Sequence, residues 1–417
     1  MKPPARRICL ITPGHVASTP RLVKNADALA AAGYEVHVVA GRHFPPADAL
    51  DATVLAAAPW RCTRVDLGRS LPGLVRRFRR EFARRRILRF DTVPPAAAAR
   101  AHHADALHLG RIAADVPADL YFGHCLAGLP AAAAAAATRG VRYGFDAEDF
   151  HDLEGDFTSA EQKARRAIQA HGLPACALFT TAAPLMAERY AANYGRRPDV
   201  LLNAFPRAEA PASPVTRTRD DPRQPVRLYW FSQTVGPGRG LEEIVAVVGR
   251  MRTPAELHLR GFVTDSYRDE LNARAGAAGC AGRLRFLPPG PPREMVRFAA
   301  DMDLGLSLEQ RTPPNRDLCL TNKVFAYLLA GVPQLLSATA AQEALAPELG
   351  AAALLARIVE TAATAALLDR WFGNPDGVVA ARREAWSLGQ RRFCWEVEQV
   401  RLLDGLERIG LGPSSPA

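Results

Sequence analysis

Residues 7–41 read RICLITPGHVASTPRLVKNADALAAAGYEVHVVAG, and the order of elements in this stretch decides the fold class. RICLITP is a short apolar run of the kind buried on both faces in a parallel sheet. A loop, GHVAS, follows. Thr19 stands where a helix cap is expected, and Pro20 fits the first helical position, where its missing N–H costs nothing. Leu22, Val23, Ala26, Leu29 and Ala30 recur as one apolar face, and Gly33 suits the end of that helix. YEVHVVAG reads as the second strand. Strand, loop, helix and strand in this order open a doubly wound α/β domain.

The alternation continues to about residue 205. DLYFGHC reads as a strand ending at His124, followed by an alanine-rich helix. VRYGFDAED is a strand that ends in Asp146, Glu148 and Asp149. Thr158 and Glu161 have the spacing of a capping box, and ALFTTA and DVLLNAF are two further short strands. PRAEAPASPVTRTRDDPRQP is rich in proline and charge and has no periodicity, as a linker does. A second α/β series begins at VRLYWF, with strands at ELHLRG, LRFLP, DLGLSLE and PQLLS. Trp386 to Ile409 reads as one long helix broken by Gly389 and Gly405. The expected organisation is a first domain over 1–205, a linker over 206–225, a second domain over 226–385 and a C-terminal helix and tail over 386–417.

Composition agrees with two domains. The chain has 417 residues, 48% hydrophobic and 23% charged, which exceeds one core and suits a soluble protein. The net charge is +10, carried mostly by arginine. This surplus fits a phosphate, nucleic-acid or membrane partner, or reflects a GC-rich coding bias toward Arg, Ala, Pro and Gly. The seven cysteines are scattered without a C-x-x-C pair, which argues against a zinc site and a disulfide framework. No stretch reads as a signal peptide or a membrane span, so the expected location is the cytoplasm.

In an open α/β domain, ligands bind beyond the carboxyl ends of the strands, and the informative residues fall there. After LYWF comes SQTVGPGRG, leading into the helix LEEIVAVVGRM. Gly236, Gly238 and Gly240 permit close backbone approach, Ser232 and Thr234 offer hydroxyls, and Arg239 offers a fork of donors. This is a diphosphate cradle or an ordinary glycine turn, since it matches neither G-x-G-x-x-G nor the P-loop pattern. In TNKVFAYLLAG (321–331), Thr321 can cap a helix that Gly331 ends. Asn322 and Lys323 sit at its start, where a lysine opposes the helix dipole but would serve a bound phosphate. His124 suits polar contact with a sugar or phosphate, or a place at the rim of the core. Asp146 and its neighbours could bind sugar hydroxyls, act as a base, or cap the next helix. Residues 71–90, LPGLVRRFRREFARRRILRF, place Leu71, Val75, Phe78 and Phe82 in a stripe beside a crowd of arginines. Such a helix lies on an anionic membrane surface or packs on its own domain. No aromatic-interleaved basic motif points to nucleic acid.

Together these stretches resemble the family 4-type glycosyltransferases of the GT-B fold. ITPGHVASTPRLVKNADALAAAGYEVHVVAG resembles that family's first strand, loop and helix, and ADLYFGHCLAGLPAA its segment ending in a sugar-facing histidine. YGFDAEDFHDLEG resembles the next strand and acidic loop, and LYWFSQTVGPGRGLEEIV the start of the nucleotide-binding domain. MVRFAADMDLGLSLE and TNKVFAYLLAGVPQLLS resemble the donor-site passage. The likeness spans nearly the whole chain and is looser over 42–115.

The resemblance implies two Rossmann-like doubly wound domains facing a central cleft, with the C-terminal helix crossing back to the first. It implies transfer of a sugar from a nucleotide-sugar donor to a glycan or lipid-linked acceptor, of the bacterial cell-surface polysaccharide type. The chemistry would be retaining, with no cofactor and no metal; no D-x-D-type motif lies in a suitable loop. His124, Asp146 and Glu309 would serve at the reacting sugar. Ser232, Thr234, Gly236, Gly238, Arg239, Asn322 and Lys323 would hold the donor. Gly14, His15, Ser18 and Arg21 would lie on the acceptor side. Arg239 matches the lysine of the family's R-x4-K pattern, while Thr234 stands where the pattern has arginine. The family's E-x7-E pair falls on Leu318 and Ala326, so both carboxylates are missing and Ala326 is expected to face the ribose. Glu309, at the end of DLGLSLE, is a substitute at a different spacing. The protein would work in the cytoplasm, peripheral on the inner face of the plasma membrane through 71–90, with no nucleic acid. The alternatives are a non-catalytic GT-B binding protein and a nucleotide-sugar epimerase of similar fold.

Overall fold

The computed structural model describes residues 5–68, 70–215, 221 and 223–413. Part of the expected linker, 216–220 and 222, lies outside the described residues. The chain divides into two compact units, Met1–Leu201 with Gln399–Ala417, and Leu202–Glu398.

The first unit is built on strands β1 (Arg7–Thr12), β2 (Glu35–Arg42), β3 (Arg61–Asp66), β4 (Leu120–His124), β5 (Arg142–Ala147), β6 (Leu178–Thr181) and β7 (Asp199–Val200). They lie in the order β3-β2-β1-β4-β5-β6-β7, and every pairing is parallel. The order reverses between β1 and β4, the switch point at which open α/β sheets place ligands. The apolar runs of the sequence are the central strands because helices cover both faces: Cys9, Leu10, Ile11, Val38, Val39 and Phe122 are all fully buried.

The second unit holds β8 (Val226–Val235), β9 (Ala255–Val263), β10 (Leu284–Leu287), β11 (Leu304–Ser307), β12 (Gln334–Ser337) and β13 (Ala353–Ala356). Their order is β10-β9-β8-β11-β12-β13, again wholly parallel. Its core joins Leu228, Trp230, Ile244, Val248, Leu257, Leu306 and Leu335. Both units are Rossmann-like.

Three local expectations need correction. DVLLNAF contributes only the two residues of β7 to the sheet. Thr19 precedes the helix Pro20–Ala31, but its hydroxyl donates to the His15 carbonyl and caps nothing. The stretch 386–409 is two helices, Pro375–Arg391 and Trp395–Arg408. The glycines do not cause the break. It falls at Phe393 and Cys394, both fully buried, where Cys394 bridges Phe205 and the Trp395 N–H donates to the Phe205 carbonyl at 2.9 Å. Gly389 is a close-approach residue inside its helix: a Cβ there would sit 2.4 Å from the Leu328 carbonyl oxygen of the helix Asn322–Ala330.

This contact gives a paired prediction. Gly389→Ala should destabilise the second unit by about 1–3 kcal/mol through overpacking. Gly276→Ala, in the helix Asp265–Ala277 with open space around it, should stabilise by up to about 1 kcal/mol. Denaturant titration of both variants checks the difference in sign.

Candidate functional site

In the first unit, parallel register sets His124 beside Asp146 at the ends of β4 and β5. Arg21 reaches them from the helix Pro20–Ala31. Its Nε donates to Asp146 Oδ2 at 2.6 Å and its Nη2 to Oδ1 at 3.0 Å, with both side chains buried. Thr180 Oγ1 donates to Oδ1 at 2.9 Å, and Asn25 Nδ2 lies 3.4 Å from Oδ2. Burial pushes the Asp146 carboxyl up, but Arg21, His124 and the bond from Thr180 outweigh it and hold the group below the usual carboxylate range.

His124 is fully buried, and neither ring nitrogen makes a hydrogen bond among the described residues. Its Nδ1 lies 3.4 Å from Asp146 Oδ2 and 3.4 Å from Glu148 Oε1. A buried imidazole that faces two carboxylates yet forms no hydrogen bond is rare enough to point to a polar ligand. The junction after it is tight. Cys125 begins the helix Cys125–Arg139 at φ 57°, the left-handed region. Gly123 and Gly128 permit the turn, since a Cβ on Gly123 would lie 2.2 Å from the Gly128 oxygen. The Cys125 thiol is pushed well up by burial and by Glu148, which disfavours the thiolate form.

The other acceptor-side residues form a self-bonded loop. His15 Nε2 accepts from the backbone N–H groups of His43 at 3.1 Å and Phe44 at 2.9 Å. Its Nδ1 therefore carries the proton and donates to Asp51 Oδ2 at 2.8 Å. The Gly14 N–H donates to Thr12 Oγ1, and Ser18 Oγ to the His15 carbonyl. His15 is thus committed to holding the loop, while Ser18 is exposed. Among the described residues, two His-carboxylate groups have spacing compatible with a cation: His15 with Asp48 and Asp51, and His124 with Asp146 and Glu148. Their donors fit one poorly, since His15 has no free lone pair and Asp146 is already shared with a guanidinium.

In the second unit, Glu309 follows β11 and Lys323 lies in the first turn of Asn322–Ala330. Lys323 Nζ is 3.0 Å from Glu309 Oε1, both buried, and 5.5 Å from the centre of the Trp230 ring. Burial raises the Glu309 carboxyl, but Lys323, then Arg239 and Arg316, hold it below the ordinary value. One cation thus touches the carboxylate and two more lie within electrostatic reach of it. Arg316, from the short helix Pro314–Leu318, also donates to the Gly238 carbonyl and so ties down the glycine loop. Sequence reasoning missed it; its place three residues before Cys319 carries no motif. Asn322 opens the helix without a capping bond, no acid lies in the first turn, and Thr321 Oγ1 is buried without a partner.

Two expectations here change. Ser232 and Thr234 belong to β8, which extends past a bulge to Val235, so the loop proper is only 236–240. Thr234 remains exposed there. Ala326 is fully buried in the helix, so its methyl group faces packed protein and not an open ribose site.

No family model matches the sequence, and no curated protein matches it. Solved structures do match in fold. Anabaena HepE in complex with UDP and glucose is 12% identical, with 97% of this chain and 100% of that chain covered at a TM-score of 0.70. Sucrose-phosphate synthase from Thermosynechococcus elongatus is 13% identical over 97% and 99% of the two chains, at 0.69. The lipopolysaccharide outer core galactosyltransferase WaaB, in its apo form, is 11% identical over 96% and 99%, at 0.60.

The Arg21–Asp146 pair yields a stability prediction. Arg21→Ala or Asp146→Asn should each cost about 3–5 kcal/mol, because each leaves a buried charge without its hydrogen-bonded counter-charge. The folded Asp146 carboxyl titrates below its unfolded value, so its contribution is present above the unfolded pKa and is lost as pH falls through the folded one. Asp146→Asn should therefore flatten the acid limb of the stability curve, as measured by thermal melts across pH. At this level of likeness the comparisons show the fold alone, two Rossmann-like units of the GT-B type.

Proposed function

We propose that the chain is a glycosyltransferase that moves a sugar from a nucleotide-sugar donor to a glycan or lipid-linked acceptor in polysaccharide biosynthesis. The observation that carries this reading is the buried Lys323–Glu309 pair at an uncapped helix start, with Arg239 and Arg316 within electrostatic reach of the same carboxylate and Arg316 bonded to the glycine loop. Such a surplus suits the diphosphate of a donor, and HepE is a UDP-bound protein of the same fold. Arg316 takes the part left open by Thr234. Glu309 orients Lys323, and the Thr321 hydroxyl and Asn322 meet the phosphate at the helix start.

As the sugar leaves its phosphate, negative charge grows on the diphosphate, and fixed cations with helix N–H groups stabilise it without a metal. The same phosphate assists attack from the same face, so the reaction is retaining. His124, buried and unbonded, is the group for the transferred sugar. The acceptor is met at an anionic membrane surface through 71–90, where Leu71, Phe78 and Phe82 are 80%, 76% and 58% exposed. No helix among the described residues is long and apolar enough to cross a membrane.

One observation favours a second reading, a binding protein without turnover. Leu318 and Ala326 are both buried where the family's glutamates are expected. Calorimetry and product analysis separate the two. Arg239→Ala and Arg316→Ala should each weaken UDP binding by about 1.5–3 kcal/mol and leave uridine binding unchanged. Lys323→Ala should in addition lower stability, because it leaves Glu309 buried alone. Free nucleotide appearing only with a glycosylated acceptor supports the transferase. UDP binding without turnover across a donor panel supports the second reading, and UDP affinity unchanged from wild type in both arginine variants removes the diphosphate site.

A further inference from the structure

The arginines of the helix Leu71–Ile87 are not equivalent. Arg76 pairs with Asp105, Arg80 with Glu81 at 2.8 Å, and Arg84 with Glu161 at 2.9 Å. Arg84 also donates to the Ala101 carbonyl, so it fastens this helix to its own unit. Arg79 and Arg86 have no carboxylate partner among the described residues, and neither does Arg100 of the helix Pro95–His102. These three line one cavity of about 460 Å³ whose apolar walls include Phe82 and Phe90. The Arg86 guanidinium lies 5.9 Å from the centre of the Phe90 ring.

Three like charges lining one open hollow give it a positive potential that attracts an anion. Among the described residues no carboxylate lines this cavity, whereas the cavity at Arg77 and Arg80 contains Asp105. Phe82 and Phe90 add apolar surface that suits an occupant with a hydrocarbon part. Phe82 belongs both to the cavity and to the exposed row Leu71, Val75 and Phe78, so the cationic hollow opens onto a continuous apolar stripe. A ligand that matches both parts has a phosphate head and a hydrocarbon body.

We propose that Arg79, Arg86 and Arg100 form a headgroup cradle for a lipid bearing a terminal phosphate, with its chains running along Phe82 and Phe78. The proposal rests on the membrane-surface reading above and adds the chemistry of the lipid. A terminal phosphate presents three oxygens to guanidinium forks, whereas a phosphodiester headgroup presents two. The cradle therefore selects among anionic lipids, which a diffuse basic surface cannot do.

The full chain is sedimented with phosphatidylcholine vesicles that contain phosphatidic acid or phosphatidylglycerol, matched for surface charge. The wild type should bind the phosphatidic acid vesicles more tightly, on the order of tenfold. R79Q/R86Q should lose that preference. R85Q/R89Q removes the same charge from exposed positions outside the cavity and should keep it. All four residues are exposed, so the variants should fold. Equal binding of the two vesicle types by the wild type, or equal loss of preference in both doubles, overturns the cradle and leaves surface binding standing. Absence of vesicle binding overturns both, while UDP affinity still reports the donor reading. Polyuridylate that binds the wild type but not R79Q/R86Q, with no choice among vesicles, assigns the cavity to nucleic acid and overturns the proposal.

Discussion

Parallel pairing is the constraint on which the rest of this protein depends. Strands that all run the same way must be joined by crossovers, so helices cover both faces and every carboxyl end emerges on one edge. His124 and Asp146 are neighbours for that reason alone: they are register partners on adjacent strands, though 22 positions separate them in sequence. The helix that supplies Arg21 begins from the end of β1, which pairs with β4. In the second unit the end of β8 yields the glycine loop and the end of neighbouring β11 yields Glu309.

Each unit keeps a buried carboxylate on that edge, and the two are balanced differently. Asp146 is saturated: two bonds from one guanidinium and one from a threonine occupy its oxygens. Such a group fixes geometry and has little capacity left for a ligand. Glu309 is outnumbered, with Lys323 in contact and Arg239 and Arg316 within electrostatic reach. The carboxylate prevents the cations from driving each other apart while leaving a positive excess. The first arrangement builds a scaffold and the second builds an attraction.

Much of this was legible in the sequence because parallel strands buried on both faces are continuous apolar runs. The strands that escaped notice are those that lack this signature. β3, RCTRVD, is an edge strand with polar residues, and β13, ALLA, lies within an alanine-rich stretch that reads equally as helix. At the candidate site, Lys323 and Arg239 stood out because charge at a helix start or in a glycine loop is locally anomalous. Arg316 did not, since its significance is set by a contact with the Gly238 carbonyl from 78 positions away. Nor could spacing alone reveal that Ala326 turns into the core, or that His15 has both nitrogens occupied. Those outcomes are decided by which side chains meet in space.

The left-handed backbone at Cys125 sets two demands on one residue against each other. A non-glycine residue there costs roughly 1–2 kcal/mol, which glycine would remove. Yet glycine would also widen the range of backbone angles open to the joint immediately after His124. The side chain at 125 thus trades folding stability for narrow angular freedom, and the imidazole is aimed by a hinge that has been stiffened at a thermodynamic loss.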